Sequence, residues 1–249
     1  QGMGTGKYAQ KYGNTPTYEI MNNHLDKVRQ ICKDHDLQPM IWSDMYFRIG
    51  SKTHDYYDEE WQISDQTISE IPKEVSLVYW DYYHLSEEHY QKFISFHRKL
   101  GSSPVVAGGI WTWNRLWCSL PYSIKATEAL MKACRKEGVR ETFMTMWGDD
   151  GAECNMNSAL AGLQHYTELV YSENVDTELR SANLLGSCDM SFDDCMLCST
   201  LDTNELFHDK SELPSSASKG LLWQDPLFST AEANIDVYKT AKHYNCLLY

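Results

Sequence analysis

The feature that most restricts this chain is an alternation. Four short apolar runs, "QPMIWSDM" (38–45), "VSLVYWDYY" (75–83), "PVVAGGIWTWN" (104–114) and "TFMTMWGDDGAEC" (142–154), are each followed by a stretch of helical character. Continuous apolar runs of this length are what strands covered on both faces look like. Parallel strands need long crossovers, and an amphipathic helix supplies one.

The helices carry their own punctuation. A first one is expected from Thr15 as cap, with Pro16 in its first turn and Met21, Leu25 and Val28 at helical spacing, ending near Asp36. Another is expected over 57–71. Ser86 followed by Glu87 and Glu88 opens a third, closed by Gly101, and a fourth over 122–137 stops at Gly138. The last strand is followed by a helix over 158–171. Beyond about residue 175 the pattern changes to short helical pieces, "SCDMSFDDC" and a Ser-rich linker from Pro214 to Ser218. The expected division is therefore an α/β part over 1–174 and a helical appendage over 175–249.

Composition narrows the partners. A net charge of -13 with only 22 Lys plus Arg lacks the basic footprint that nucleic acid or an anionic membrane requires. The chain has no apolar run near the roughly 20 residues of a spanning helix. Most of the eight irregularly spaced cysteines read as buried free thiols of a reducing compartment. Cys195 and Cys198 form a CxxC without a second pair of ligands, and the nine His residues include no HExxH, so no metal is expected. No GxGxxG or GxxxxGK[ST] follows any strand, which leaves a nucleotide cofactor without a binding loop.

Each strand end repeats one theme: Trp42-Ser-Asp44, Trp80-Asp-Tyr82, Trp111-Thr-Trp113-Asn114 and Trp147-Gly-Asp149. Residues two apart on a strand share a face, so each end offers an indole and, two positions on, a polar or aromatic partner. Four tryptophans at equivalent places are a poor way to fill a core, because each indole N–H then needs a partner. Aromatic walls with carboxylates at the rim suit a sugar ring. In α/β folds the carboxyl ends of the strands are also where ligands bind.

Taken in order, "QPMIWSDM", "YWDYYH", "GGIWTWNR", "MWGDDGAE" and "LLWQDPL" closely resemble bacterial family-20 glycoside hydrolases, the exo-acting β-N-acetylhexosaminidases, from Gly4 to about Leu227. The resemblance implies a (β/α)8 barrel and hydrolysis assisted by the substrate. The 2-acetamido carbonyl attacks the anomeric carbon to give an oxazolinium, while a glutamic acid protonates the departing oxygen and an adjacent aspartate orients the acetamido nitrogen. It implies no cofactor, and a glycan ending in β-linked N-acetylglucosamine or N-acetylgalactosamine as partner. Together with the thiols it implies a cytoplasmic location.

Carried over position by position, Trp42, Trp80, Trp113 and Trp147 resemble the pocket walls, and Tyr82 the hydroxyl that holds the acetamido oxygen. Asp149 matches the carboxylate on the 4- and 6-hydroxyls. Asp44 and Asp150 either contact hydroxyls or hold neighbouring loops. Glu153 is either a further sugar contact or a solvated acid at a helix start, and Trp223 either closes the pocket or packs in the core.

One departure stands out. The family's Asp-Glu pair precedes a stretch like "GMGTGKYAQKYG", with which this chain opens, so neither acid is expected within residues 1–249. Four strands are also half of what a barrel needs. The chain is thus expected to be the C-terminal half of a TIM-type barrel, with about four parallel strands, joined by an N-terminal half. The rival expectation is a non-catalytic carbohydrate-binding or scaffold protein that kept the wall and dispensed with the acid.

Overall fold

The computed structural model describes residues 3–247 except 102, 204–205, 208–212, 226, 230 and 232. It is an α/β fold with a parallel four-stranded sheet. The strands are β1 (Met40–Trp42), β2 (Ser76–Trp80), β3 (Val105–Gly109) and β4 (Thr142–Thr145), in the spatial order β1-β2-β3-β4. Met40 pairs with Ser76, and Val78 with Val105. Along β3 and β4 the same sense continues, with Val106 N donating to Glu141 O and Ile110 N to Thr145 O. β3 is buried along its whole length, whereas β1 and β4 are only partly covered, as expected of the two outer strands of an open sheet. Met40 is 56% exposed and Trp42 39%.

Eleven α-helices occur among the described residues: α1 (Lys7–Tyr12), α2 (Thr17–Asp34), α3 (Asp44–Gly50), α4 (Asp65–Ser69), α5 (Glu87–Lys99), α6 (Leu120–Lys136), α7 (Leu160–Tyr171), α8 (Thr177–Cys188), α9 (Phe192–Cys198), α10 (Ala217–Trp223) and α11 (Val237–Leu247). None of them is long and apolar enough to cross a membrane. Gly101 and Gly138 follow α5 and α6 with positive φ (83° and 63°), where a side chain would be strained.

Several expectations are corrected. The helix expected over 57–71 shrinks to α4, because Asp55 and Asp58 draw the backbone N–H groups of Tyr57 and Glu60 into local turns, and Ser64 caps the helix only from Asp65 on. Thr15 does not cap α2. Pro16 stands at the cap position with an extended ψ of 135°, and its carbonyl accepts from Glu19 and Ile20. The run after Trp42 leaves the strand at once and turns into α3. β2 spans Ser76–Trp80 rather than 75–82, and β3 stops at Gly109, five residues before Asn114.

The chain forms two compact units: Gln1–Trp80, Glu88–Ala107 and Ala133–Thr142 in the first, Asp81–Glu87, Gly108–Lys132 and Phe143–Tyr249 in the second. The first has an aromatic core. Phe47 lies 5.0 Å from Trp61, 5.7 Å from Phe93 and 4.5 Å from the His97 ring, and Tyr79 stacks on Phe93 at 5.8 Å. A polar chain runs through it. His97 Nδ1 donates to the Phe93 carbonyl (2.7 Å), and His97 Nε2 faces the Ser43 hydroxyl (2.7 Å). Ser43 Oγ is also 2.9 Å from the Val78 carbonyl and 3.3 Å from the Tyr56 hydroxyl, which accepts from Trp80 N–H. The second unit is built on Ile110, Cys118, Leu120, Ala159, Leu184 and Phe192.

His97 is fully buried, and burial pushes its pKa down from 6.5 to about 4. Between those values the unfolded chain binds a proton that the folded chain refuses, so stability is complete above pH 6.5 and falls as pH drops toward 4. The loss is on the order of 3 kcal/mol. Urea denaturation from pH 7 to 4 should show this slope, and His97→Gln, which cannot titrate, should flatten it. An unchanged slope in the variant would remove His97 as its cause.

Candidate functional site

The expected site residues fall in both units. Within the second, Tyr82, Trp113 and Trp147 converge. The Tyr82 ring lies 5.4 Å from Trp113 and 6.5 Å from Trp147, and Trp113 stacks on Trp111 at 4.3 Å. Tyr82, Trp111 and Trp113 are buried, whereas Trp147 is half-exposed. The convergence does not arise from strand alternation. Tyr82 lies past the end of β2, and Trp111, Trp113 and Trp147 lie beyond β3 and β4, so loop geometry places these four, while Asp44 opens α3.

That geometry is pinned by backbone contacts. Trp111 N–H donates to Ser123 Oγ (2.9 Å) rather than to a strand carbonyl, and its indole N–H donates to Asn114 Oδ1 (3.3 Å). Asn114 sits in the left-handed region at φ 53°, which Asn tolerates better than most residues, and its N–H donates to the Asp149 carbonyl (3.2 Å). Thr112 Oγ1 donates to the Trp147 carbonyl (2.8 Å). The 111–114 segment thereby fixes the backbone on either side of Gly148.

Tyr82 carries a polar group into this aromatic cluster. Burial raises its phenol pKa, and hydrogen bonds with the side chains of Thr145 and Trp147 pull it partly back. Thr145 Oγ1 itself donates to the Gly108 carbonyl (3.0 Å). Tyr83 beside it has its pKa raised first by burial, then by the charges of Asp149, Asp81 and Asp150. Both aspartates of the loop, Asp149 and Asp150, are exposed.

The remaining expected residues are engaged differently. Glu153 is partly buried and paired with Lys219 (Oε2 to Nζ 2.9 Å), which lowers its pKa. In the first unit Asp44 Oδ2 pairs with Arg48 Nε one helical turn on (3.3 Å). Trp80 packs 4.8 Å from Tyr56 and 5.9 Å from Tyr57, whose hydroxyl donates to the Trp80 carbonyl (3.3 Å). Trp42 and Asp44 line an open groove of about 790 Å³ with Met3, Ile20, Met21 and Leu25. Trp223 is 63% exposed, with Lys219 Nζ 4.9 Å from its ring, so it does not pack in the core. Cys195 is buried in the core of the second unit and Cys198 is exposed.

Three contributors escaped the sequence reading. Thr145 and Lys219 carry no motif. Gly109 has one faint signal, the Gly-Gly pair of "AGGIW": a Cβ there would meet Tyr82 Cδ1 at 2.7 Å and Trp113 at 3.2 Å. No protein-family model matches this chain, and no curated protein matches it either.

The aromatic group thus rests on a missing side chain. Gly109→Ala should displace Tyr82 and Trp113, cost about 1–3 kcal/mol as overpacking does, and shift the indole emission. Unaltered fluorescence and an unaltered urea midpoint would show that the rings do not depend on this clearance.

Proposed function

We propose that this chain is part of a β-N-acetylhexosaminidase resembling the family-20 glycoside hydrolases, and that it supplies the sugar-binding wall of a (β/α)8 barrel. The observation that carries the proposal is the convergence of Tyr82, Trp113 and Trp147 beside the backbone that bears Asp149. Indole faces pack on the apolar C–H faces of a pyranose, and an exposed carboxylate accepts from vicinal hydroxyls. Tyr82 lies among these rings, and its phenol O–H would donate to an acetamido oxygen and fix the carbonyl for attack on the anomeric carbon.

The half-barrel reading draws on the sheet. Four parallel strands in sequential order are the repeating arrangement of a (β/α)8 barrel. The apolar residues exposed at β1, Met40 and Trp42, and the apolar groove beside them, are the surface that a preceding barrel strand would cover. In this reading the catalytic Asp-Glu pair belongs to the N-terminal half and not to residues 1–249. The partner in this reading is a glycan ending in β-linked N-acetylhexosamine.

Two measurements test it together. An N-acetylglucosamine thiazoline, which mimics the oxazolinium, should bind the chain in calorimetry. Trp147→Ala or Asp149→Asn should weaken that binding by about tenfold or more, whereas Cys195→Ser should not. An aryl N-acetyl-glucosaminide should be cleaved only when the N-terminal half of such a barrel is added. Binding without activity in the mixture would favour a non-catalytic carbohydrate-binding protein, and no binding at all would end the sugar reading.

A further inference from the structure

The loop after β4 is held at both ends, and the far end is held by a residue outside every motif of the sequence. At the near end Thr112 and Asn114 bind the carbonyls of Trp147 and Asp149. The backbone then takes three consecutive left-handed steps, Asp150 (φ 60°), Gly151 (φ 111°) and Ala152 (φ 57°). Such a run is costly for Ala152, which has no side-chain hydrogen bond to offset it, so surrounding contacts must impose it. The turn folds the Glu153 carboxylate back over Gly151, where an added Cβ would fall 1.9 Å from Oε1. Lys219 closes the arrangement. Its Nζ donates both to the Asp150 carbonyl and to Glu153 Oε2.

Lys219 is well placed to act as a fixed post. Its side chain is only 13% exposed and its ammonium lies 4.9 Å from the Trp223 ring. Its own N–H is capped by Ser216 Oγ (3.1 Å), and Ser216 in turn hydrogen-bonds to the buried Asp202. A charge-assisted bond between partly buried partners is stronger and less screened than an exposed one.

We infer that Lys219 is a positioning residue for the sugar site: through Glu153 and the Asp150 carbonyl it holds the 148–153 loop so that Asp149 is presented in one place. The inference rests on the sugar-binding reading for the role of Asp149, though not for the clamp itself. It assigns Glu153 to the clamp rather than to a sugar hydroxyl. A single anchored carboxylate, Asp149, is then the hydroxyl-binding acid of this loop.

Amide hydrogen exchange of the full chain, read peptide by peptide, separates the two layers. In Lys219→Met and, from the other partner, in Glu153→Gln, the 148–153 amides should exchange about tenfold faster while α6 and α7 keep their protection. Lys219→Arg should restore most of it. Thiazoline affinity should fall about tenfold in Lys219→Met and Glu153→Gln and recover in Lys219→Arg, tracking the exchange. Unchanged exchange in both Lys219→Met and Glu153→Gln would overturn the clamp whatever the chain binds. Faster exchange with thiazoline affinity equal to that of the parent would overturn the positioning role. If the parent itself binds no thiazoline, the sugar reading fails and the positioning role falls with it, while the exchange result still decides whether Lys219 holds the loop.

Discussion

A buried guanidinium organises the second unit. Arg115 is among the most deeply buried side chains, and burial lowers its pKa against the opposing charge of Asp202. It keeps its charge by donating to carbonyls: Trp117 (3.1 Å), Ser215 (2.7 Å), Ser199 (3.3 Å) and Asp202. Asp202 answers with its carboxylate, whose Oδ2 accepts from Leu116 N (2.6 Å) and Trp117 N (3.0 Å) and whose Oδ1 accepts from Ser216. Desolvating two charges is expensive unless each remaining hydrogen-bonding position is filled, and here nearly all of them are. The benefit lies in placement. The segment that bears Trp111 and Trp113 enters α6 along a path that the pair determines.

In the first unit the equivalent role falls to neutral groups. His97, Ser43 and Tyr56 link α5, the end of β1 and the end of β2 through hydrogen bonds in an otherwise aromatic interior. Neutral polar groups cost less to bury than ions provided that each finds a partner. The two units thus solve one problem, fixing the loops beyond strand ends, by different electrostatic means.

The strand–helix alternation was legible because strands covered on both faces advertise themselves as unbroken apolar runs. Their ends were not, since an aromatic residue continues the run after hydrogen bonding to the neighbouring strand has stopped. That is why Tyr82, Trp111 and Trp113 read as strand residues and are loop residues. The helix expected over 57–71 starts only at Asp65 for a local reason: Asp55 and Asp58 take the backbone donors of Tyr57 and Glu60, and Ser64 caps the short helix that follows. At the site, the repeated tryptophans pointed to Tyr82, Trp113 and Trp147, which do meet. Lys219 lies 66 residues from Glu153 along the chain, and a lone lysine in a polar stretch carries no periodicity that could announce its partner.

The Arg115–Asp202 pair also has a consequence in time. Its members are 87 residues apart in the chain, and Ser215 is 100 residues from Arg115. During synthesis at about 5–20 residues per second, the aromatic segment leaves the ribosome several seconds before its anchor exists. Over that interval Trp111 and Trp113 belong to a nascent chain whose Arg115 has no Asp202 to meet. This aromatic segment is among the earlier parts of the unit to be made, and its anchor is among the later ones.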